Sequence, residues 1–338
     1  MSIRNFLFIY RWLSRLYFHL PVFFLFLLSK DVSLFYVPVL LAVYPISIFL
    51  MSLVKNKINY NPKLFLLLSF ILNCIGYTII LWSPNFIWLV YAQLLLGAAY
   101  AVAAGEDSKL LFASDYSLNE KQEIQTKSNS LMFIALLLSG VVGGYVYTIE
   151  PTYNFILAII ANILSLLFAL LLNDECAKKP PKKTSTAGMQ PVANDMPATF
   201  HDYLYYSLTR GVVLGVFVGL IPFVLLKQNI TPLVFAAVLS SYTLSGFASS
   251  QFFNKIPFKP RLLKKLSVSL IFFGTLLLIF FNQNLASIVL ALVLYGLGTG
   301  LVRPLTMGKI KNPIEINKLE KYFSLTNIVV LLIMPFLY

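Results

Sequence analysis

The residues of this chain that could carry chemistry are a few ionisable side chains set inside long apolar runs. Glu106 and Asp107 are the only acidic residues within any of these runs, and Lys109 follows them closely. A partly desolvated carboxylate can load and release a proton near neutral pH, so Asp107 first and Glu106 second are candidates for proton coupling. The alternative is a Glu106–Lys109 ion pair, one helical turn apart, that stabilises an interface only slightly.

Basic side chains near the start of the chain point to a different chemistry. Arg11, Arg15 and His19 recur every four residues, so in one continuous helix they share a face. Such a stripe would attract an anionic substrate or hold a carboxylate across a pathway. The alternative is that Arg11 and Arg15 extend towards lipid headgroups. Pro21 follows within a turn and predicts a kink, because it cannot donate a backbone hydrogen bond.

Three further polar residues lie inside apolar runs. Arg210 and Arg303 are the remaining cations there, and Arg303 is either a cavity residue or an ordinary anchor near the end of its run. Gln93 is neutral, and such a residue more often bonds to a neighbouring helix than to a ligand. The candidate pathway residues are therefore Arg15, His19, Gln93, Glu106, Asp107, Arg210 and Arg303.

The composition places these residues in a lipid bilayer. Hydrophobic residues make up 59% of the chain, charged residues 12%, and the mean hydropathy is +0.80, which is too apolar for a soluble protein of 338 residues. The net charge of +13 lies in short clusters between apolar runs, where it sets membrane orientation, so we expect no nucleic-acid partner. The sequence has no metal-ligand spacing and no phosphate-binding glycine loop, and we expect no enzyme activity, metal or cofactor.

Eleven apolar runs reach the length of about 20 residues that a membrane-spanning helix needs. The runs are continuous rather than alternating, and an open sheet cannot satisfy its backbone in lipid, so the predicted fold class is all-α and polytopic. The first run lacks a cleavage site close behind it, and we expect it to be retained as a span. The predicted spans are Phe6–Leu28, Leu34–Val54, Leu64–Trp82, Phe86–Ala113, Asn129–Tyr147, Tyr153–Leu172, Tyr203–Leu226, Pro232–Phe253, Leu262–Phe281, Leu285–Met307 and Tyr322–Tyr338.

Lysine and arginine are concentrated in alternate loops. This asymmetry predicts a cytoplasmic N-terminus for a protein of the bacterial cytoplasmic membrane. A stretch at residues 174–200 is rich in Lys, Pro, Ser and Thr with almost no large apolar residue, which indicates a solvated cytoplasmic linker. We therefore expect an N-terminal six-helix half at residues 1–173 and a C-terminal half of five helices at residues 201–338.

The two halves are copies of one unit. SLVKNKINYNPKL at Ser52–Leu64 returns as SQFFNKIPFKPRL at Ser250–Leu262, with six of thirteen positions identical, where roughly one is expected by chance. An even number of spans precedes the linker, so the halves have the same orientation and form parallel repeats. The pairing continues upstream without a gap, and its pairs include Asp31/Asn229, Tyr44/Tyr242 and Ser47/Ser245.

Short segments of the chain resemble motifs of the major facilitator superfamily. The repeated loop matches in part the superfamily's Gly-x-x-x-Asp-(Arg/Lys)-x-Gly-(Arg/Lys) motif through Ser52, Asn56 and Lys57, with Ser in place of Gly and Asn in place of Asp. GEDSKLLFASD at Gly105–Asp115 looks like the Gly-x-Asp-Glu-Ala-Leu segment of small bacterial members. SGVVGG in the fifth run resembles the Gly-Pro-x-x-Gly-Gly core of the exporter signature, with Gly140 in the place of proline.

The resemblance implies a fold, a function and an alternative to that function. It implies secondary active transport of an unidentified small molecule by alternating access, with proton-coupled export preferred and with lipid, substrate and protons as partners. Gly140, Gly143 and Gly144 would belong to the exporter motif, although glycines also permit close helix packing in any membrane protein. The superfamily usually has twelve spans, whereas the second half here has no counterpart of Tyr153–Leu172. The alternative is a non-transporting protein of the same fold, such as a sensor, an immunity factor or a truncated remnant.

Overall fold

The computed structural model describes residues 3–55, 58, 61–83, 85–172, 199–252, 259–307 and 326–331. Within these ranges the regular secondary structure is helical and no strand occurs, so the predicted all-α fold class is confirmed. A short 3-10 turn spans Leu20–Val22, and residues 326–331 are helical. The α-helices are α1 (Ile3–Leu13), α2 (Phe23–Ser29), α3 (Tyr36–Lys55), α4 (Pro62–Trp82), α5 (Phe86–Ala103), α6 (Glu106–Ala113), α7 (Leu118–Ile149), α8 (Tyr153–Leu170), α9 (Phe200–Gly219), α10 (Ile221–Leu226), α11 (Pro232–Phe252), α12 (Pro260–Phe280) and α13 (Leu285–Met307).

The helices have the lengths and surfaces of a multi-pass membrane protein. Nine helical stretches in the described part of the chain are long and apolar enough to cross a bilayer, and they match the second to tenth predicted spans. Large apolar side chains stay exposed on their outer surfaces, with Trp82 at 78% and Phe280 at 72%, because lipid surrounds them. Of the eleventh predicted span, only residues 326–331 are described. The predicted linker at 174–200 falls outside the described residues except for its last two positions, where α9 begins.

The first predicted span, Phe6–Leu28, is not a continuous helix. α1 ends at Leu13, and an irregular segment leads to the 3-10 turn that precedes α2. Pro21 contributes to the break, because it lacks the N–H that a continuing helix would use and lies in the first positions of the 3-10 turn, where that N–H is not needed. The predicted kink therefore becomes a gap of several residues between two helices.

This gap also corrects the predicted stripe on the first span. Only Arg11 lies in α1, whereas Arg15 is in the irregular segment and His19 directly precedes the 3-10 turn. The spacing of four residues places side chains on one face only where the backbone is helical throughout. The three side chains consequently point into different surroundings, and each has to be considered by itself.

Two other predicted spans are interrupted as well. Gly105 has a φ of 76°, a left-handed conformation that suits glycine, and it separates α5 from α6. Leu220 separates α9 from α10, just ahead of Pro222. The first interruption matters most here, because it places Glu106 and Asp107 in the first turn of a new helix.

The internal duplication is visible in the backbone. Pro62 and Pro260, which the repeat pairs, each begin a helix of 21 residues, a position where the missing N–H of proline costs nothing. Asp31 has a φ of 58° and Asn229 a φ of 49°, and these are the two non-glycine residues with left-handed backbone in the described ranges. The repeat pairs these two residues as well, and Asp and Asn tolerate this conformation better than most residues.

The described parts of the two halves pack on each other along α7 and α11. Gly144 of α7 lies directly against Ala236 of α11, and the small residues let the two backbones approach closely. Near α2 and α10, the apolar clusters contain side chains from both halves, and the rings of Phe24 and Phe223 lie 4.6 Å apart. We call this region the joined end.

The opposite end of the molecule, around the start of α1, is built differently. A cluster that includes Phe6 and Phe70 belongs to the first half, and a smaller cluster of Leu263, Leu301 and Leu305 belongs to the second. Neither of these described clusters mixes the halves. We call this region the divided end, and we use the word cleft for the region between the two halves on this side of the joined end.

Candidate functional site

Two arginines, one from each half, meet at a tyrosine inside the cleft. Arg15 belongs to the irregular segment after α1, and Arg210 belongs to α9. Tyr100, near the end of α5, interacts electrostatically with both guanidinium groups, and its ring centre lies 5.8 Å from the Cζ atom of Arg15. We use the name cleft site for these three residues and the tyrosines around them, which are Tyr17, Tyr44, Tyr206 and Tyr242.

The break in the first span positions Arg15. Its Nη1 atom donates a hydrogen bond of 2.9 Å to the hydroxyl of Tyr17, two residues later, a contact that a regular helix would not allow. Tyr44 of α3 lies close enough to interact electrostatically with Arg15, and its ring is 6.2 Å from that of Tyr100. Gly143 of α7 makes room for this segment, because the carbonyl of Phe18 lies where a Cβ atom would otherwise be.

Arg210 is held in a similar way from the second half. Its Nη1 atom donates a hydrogen bond of 2.5 Å to the hydroxyl of Tyr206, one turn earlier in α9. The guanidinium carbon lies 5.3 Å from the centre of the Tyr206 ring, within cation–π range. Tyr242 also interacts electrostatically with Arg210 and packs 5.0 Å from the ring of Phe217. Tyr44 and Tyr242, paired by the repeat, thus lie beside the arginine of their own half.

The cleft site combines fixed cations with access. Arg15, Arg210 and Tyr100 are each half-buried rather than sealed, while Tyr206 behind them is buried. The hydroxyls of Tyr17 and Tyr206 orient the two guanidinium groups, and a phenol is uncharged near neutral pH. The arrangement can therefore bind a group that brings negative charge and several hydrogen-bond acceptors.

A second polar group surrounds Arg11 near the divided end. Its Nε atom lies 2.6 Å from the Oδ2 atom of Asp107, and Arg11 is only 2% exposed. The guanidinium also donates to the Ser128 hydroxyl at 2.5 Å, to the Gln125 Oε1 atom at 2.9 Å and to the Ser108 hydroxyl at 3.2 Å. The expected extension of Arg11 towards lipid headgroups is therefore wrong. Asp107 has a buried cation as its partner.

Glu106 belongs to a third polar group, at the start of α6. Its Oε1 atom lies 2.6 Å from the Nζ atom of Lys55 and 3.0 Å from that of Lys109, so the predicted pair with Lys109 is present within a larger set. Lys55 also donates to the carbonyl of Ala104 at 2.6 Å and so satisfies the end of α5. Lys55 thus joins the end of α3 to the interruption at Gly105.

Among the described residues of the second half, an ion pair also lies at the divided end. Lys264 of α12 pairs with Asp202, in the first turn of α9. Asp202 also accepts hydrogen bonds from the N–H and hydroxyl of Thr199, both at 2.9 Å, as a helix-capping box. These contacts fix the start of α9, whose next turns carry Tyr206 and Arg210.

The remaining predicted pathway residues lie apart from these groups. His19 is 8% exposed and packs among aromatic rings, 4.8 Å from Tyr77 and 5.5 Å from Phe155. Gln93 is buried within α5. Arg303 lies in α13, but its side chain is outside the described part of the structure.

The residues of the exporter-like motif and of the repeated loop also lie apart from the cleft site. Gly140 lies beside Ser240 of α11, and Gly144 beside Ala236, so these two glycines support contact between the halves. Ser52 donates a hydrogen bond of 2.7 Å to the Phe49 carbonyl inside its own helix. Asn56 and Lys57 lie outside the described residues. Among the described residues, no group of three or more His, Cys, Asp and Glu side chains could hold a metal ion.

Sequence reasoning missed the tyrosines of the cleft site. Tyrosine is common in this chain, with 19 residues, and an isolated Tyr in an apolar run gives no signal. The repeat did contain a signal, because it pairs Tyr44 with Tyr242. Polar residues kept at equivalent places in both halves are expected near a shared site. Lys55 was missed for another reason, since it is separated by 51 residues from Glu106 and only the fold joins them.

Comparison with known proteins places the chain in a family. The family model described as Major Facilitator Superfamily matches residues 7–336. A probable sugar efflux transporter of Haemophilus influenzae (strain 86-028NP) is 22% identical over 273 residues, which cover 77% of this chain and 64% of that protein. The same-named protein of strain PittGG is also 22% identical, with 65% of its length covered. The chain thus spans just under two thirds of the length of these curated relatives.

Solved structures share the fold at low sequence identity. The human organic anion transporter MFSD10 (TETRAN) superposes with a TM-score of 0.67 at 12% identity, covering 98% of this chain and 91% of that one. A POT family transporter in complex with a thioalcohol conjugated peptide gives a TM-score of 0.66 at 11% identity, covering 97% and 88%. At these identities the likeness concerns the fold alone.

Proposed function

This chain belongs to the Major Facilitator Superfamily, and on that premise we propose that it is a secondary active transporter that moves a small molecule by alternating access. The observation that carries the proposal is the cleft site, because Tyr100 interacts electrostatically with one arginine from each half. Two similar halves that rock about a site between them expose it to one side of the membrane and then to the other. A site shared by both halves is what this cycle requires.

The contrast between the two ends supports a direction for the cleft. The joined end is closed by apolar packing between the halves, with Phe24 against Phe223, whereas the divided end has clusters confined to single halves. Lys55, Lys121 and Lys264, which border basic loops, lie at the divided end. We propose that this end is the cytoplasmic side of a bacterial cytoplasmic membrane. The N-terminus is then cytoplasmic, and the cleft opens inwards.

Proton coupling through Asp107 is a further part of the proposal. Its carboxylate pairs with Arg11 and also interacts electrostatically with Arg15 of the cleft site. A proton on Asp107 would remove its negative charge and so weaken the hold on Arg11, which connects α6 to α1. Glu106 is the second candidate. The Glu106 side chain is fully buried between two lysines, whereas that of Asp107 is 14% exposed, and this favours Asp107 as the group that water reaches.

Export is the proposed direction of transport. The curated relatives are described as probable sugar efflux transporters, which supports a small polar molecule of about the size of a sugar as cargo. The partners in the proposal are the lipid bilayer, this small molecule and protons.

The test uses inverted membrane vesicles that contain the full chain, in which export appears as uptake. Labelled galactose and labelled galacturonate are offered with and without a pH gradient. We expect gradient-driven uptake of at least one probe, and loss of the gradient dependence in Asp107→Asn with exchange between internal and external probe retained. Unchanged gradient-driven uptake in Asp107→Asn would exclude Asp107 as the coupling residue.

A second test concerns alternation itself. In a chain whose Cys74 and Cys176 are replaced by Ser, the pair Phe24→Cys and Phe223→Cys is joined with a short thiol cross-linker. A bridge across the joined end should stop transport, and cleavage of the bridge should restore it. Full transport with the bridge intact would contradict a cycle in which the joined end opens.

A further inference from the structure

We propose that a groove on the outer surface of the second half, between α9 and α12, binds a membrane-spanning helix of a second polypeptide chain. The first half supplies the reason, because its equivalent groove, between α1 and α4, is filled by α8. At the spacing that separates Pro62 from Pro260, the repeat places α9 opposite α1 and α12 opposite α4. The two grooves can therefore be compared position by position.

Both grooves are built on the same backbone frame. Ser69 and Gly76 are buried in α4, and the same residue types are buried at the equivalent places in α12, as Ser267 and Gly274. In the second half, the hydroxyl of Tyr205 on α9 bonds to that of Ser267, so α9 and α12 lie side by side. The second half thus has the two walls that α8 packs against in the first half.

The groove of the first half is closed by apolar packing against α8. Ala169, near the end of α8, and Leu172, just beyond it, belong to one cluster with Tyr10 of α1 and Phe70 of α4. The rings of Tyr10 and Phe70 lie 5.8 Å apart. Tyr10 is only 6% exposed and Phe70 only 2% exposed, because the end of α8 helps to cover them.

The equivalent positions of the second half are open. Leu208 takes the place of Tyr10 and is 40% exposed, and Val268 takes the place of Phe70 and is 50% exposed. Within the described residues, α12 packs chiefly against α13, whereas α4 packs against both α5 and α8. The second half therefore presents an apolar groove, with smaller side chains than its counterpart, where the first half holds a helix.

A cation at the divided end indicates the direction of the bound helix. Lys63 donates a hydrogen bond of 2.6 Å to the carbonyl of Leu172 and so satisfies the carboxyl end of α8. The repeat pairs Lys63 with Arg261, which is exposed at the start of α12, and Lys265 is exposed one turn later. The last carbonyls of a helix carry partial negative charge and favour such cations. The bound helix therefore has its carboxyl end at the divided end, as α8 has.

The groove also restricts the occupant. Val268 is smaller than Phe70 and Leu208 is smaller than Tyr10, so the bound helix carries larger side chains near its carboxyl end than α8 does. A spanning helix needs about 20 apolar residues. Segments 173–198 and 308–325 carry too many charged residues for this, and residues 332–338 are too few. The helix accordingly belongs to a second polypeptide chain.

The first experiment uses the α8 sequence as a synthetic probe helix. The full chain, with Cys74 and Cys176 replaced by Ser and with Lys265→Cys, is placed in lipid vesicles with a peptide of residues 153–172 that carries one added cysteine at either end. We expect the peptide with the carboxyl-terminal cysteine to form a disulfide roughly fivefold more often than the other. Leu64→Cys is the matched control, because Leu64 is exposed at the same end of α4, where α8 already fills the groove. Equal cross-linking of both peptides, or of Lys265→Cys and Leu64→Cys, would overturn the inference.

Substitutions test whether the peptide lies in this groove. Arg261→Gln should lower the cross-linking roughly threefold, and Arg261→Lys, which restores the residue of the first half, should not. A peptide with Ala169→Phe should bind roughly threefold better, because the larger ring fills the space beside Val268, and this gain should disappear in Val268→Phe. A gain that persists in Val268→Phe, or full cross-linking in Arg261→Gln, would place the peptide elsewhere and contradict the proposal.

A second measurement separates the helix from other occupants. A spin label is attached at Val268→Cys, or at Leu290→Cys on α13, whose leucine is also 50% exposed, and its access to oxygen dissolved in the lipid is measured. We expect the peptide to reduce access at position 268 by half or more and to leave position 290 unchanged. No reduction at a saturating amount of peptide would show that lipid alone covers the groove. A reduction that follows the density of the chain without peptide would assign the groove to a second copy. Either result would overturn the proposal.

Discussion

Arg11 and Arg15 are four residues apart and yet belong to two different kinds of site. Arg11 is buried at the divided end, where Asp107, Ser128 and Gln125 accept its hydrogen bonds. Arg15 is half-buried in the cleft, where tyrosine hydroxyls hold it. The first arrangement neutralises its cation within the protein. The second leaves positive charge where a ligand could reach it.

The difference comes from the backbone between the two residues. α1 ends at Leu13, so Arg15 does not follow Arg11 along one helix face. Without this break, both side chains would lie in the same polar group, and the first half would contribute no arginine to the cleft. The comparison teaches that the position of a charge in a membrane helix does not reveal its role until its partners are known. The following predictions test whether these two environments are as distinct as the contacts indicate.

The largest effect should come from removing the buried cation. Arg11→Met leaves Asp107 and its polar neighbours without their common donor, and we expect the free energy of unfolding to fall by about 3 kcal/mol. Arg15→Met should cost much less, because water in the cleft can satisfy the tyrosines. Unfolding in detergent, followed by circular dichroism, compares the two. The double variant Arg11→Met with Asp107→Leu should regain part of the loss; equal losses for Arg11→Met and Arg15→Met would contradict the distinction.

Gly143→Ala should produce the next largest effect. The new Cβ atom would meet the Phe18 carbonyl, and the displaced segment carries Arg15, so we expect a loss of about 2 kcal/mol in stability together with weaker galacturonate binding. Gly140→Ala is the matched control on the same helix, because its Cβ atom meets only the Ser240 hydroxyl, which can rotate. Thermal unfolding and calorimetry measure both properties. A Gly140→Ala variant more severely affected than Gly143→Ala would argue against a packed support for the Arg15 segment.

Tyr100→Phe should have a smaller and more selective effect. It removes the hydroxyl that interacts electrostatically with both arginines and keeps the ring, so stability should change by about 1 kcal/mol at most. Galacturonate affinity should fall by about tenfold, because the two guanidinium groups are no longer held in one orientation. The control is Tyr36→Phe, an exposed tyrosine at the start of α3. Unaltered affinity in Tyr100→Phe would mean that Tyr100 does not prepare the site.

The smallest effect concerns an acidic residue outside the spans. Ser117 donates hydrogen bonds to the Glu120 carboxylate, and these hold the pKa of Glu120 below its usual range. A carboxylate with a lowered folded-state pKa adds stability above its unfolded pKa and loses it as the pH falls through the folded value. Glu120→Gln should therefore slightly reduce the acid sensitivity of unfolding and leave transport unchanged. A change in the pH dependence of transport would show that this end of α7 takes part in coupling.

The fold was predictable from the sequence, because apolar run length and the repeat depend on local patterns. Pro62 and Pro260 begin equivalent helices, and Asp31 and Asn229 share an unusual backbone. The interruptions were less predictable. Gly105 carried a signal for a break, but the length of the gap before Pro21 depends on packing against α7, which no local pattern contains.

The candidate site was predictable only in part. Arg15 and Arg210 stood out because charges in apolar runs are rare, and the prediction of an anion-attracting cation at Arg15 stays a prediction. Their meeting at Tyr100 joins positions that are 85 and 110 residues away along the chain, and only the tertiary fold brings them together. The same holds for Lys55 and Glu106.

The most direct test of the central claim is a double-mutant cycle on probe uptake into inverted vesicles. The initial rate is compared among the unaltered chain, Arg15→Gln, Arg210→Gln and the double variant, all as full-length protein. If one transport site uses both arginines, each single substitution slows uptake and the double variant loses clearly less than the sum of the two, because the shared site has already been weakened. Single substitutions that leave uptake unchanged, or losses that add independently, would contradict a transport site shared by the two halves.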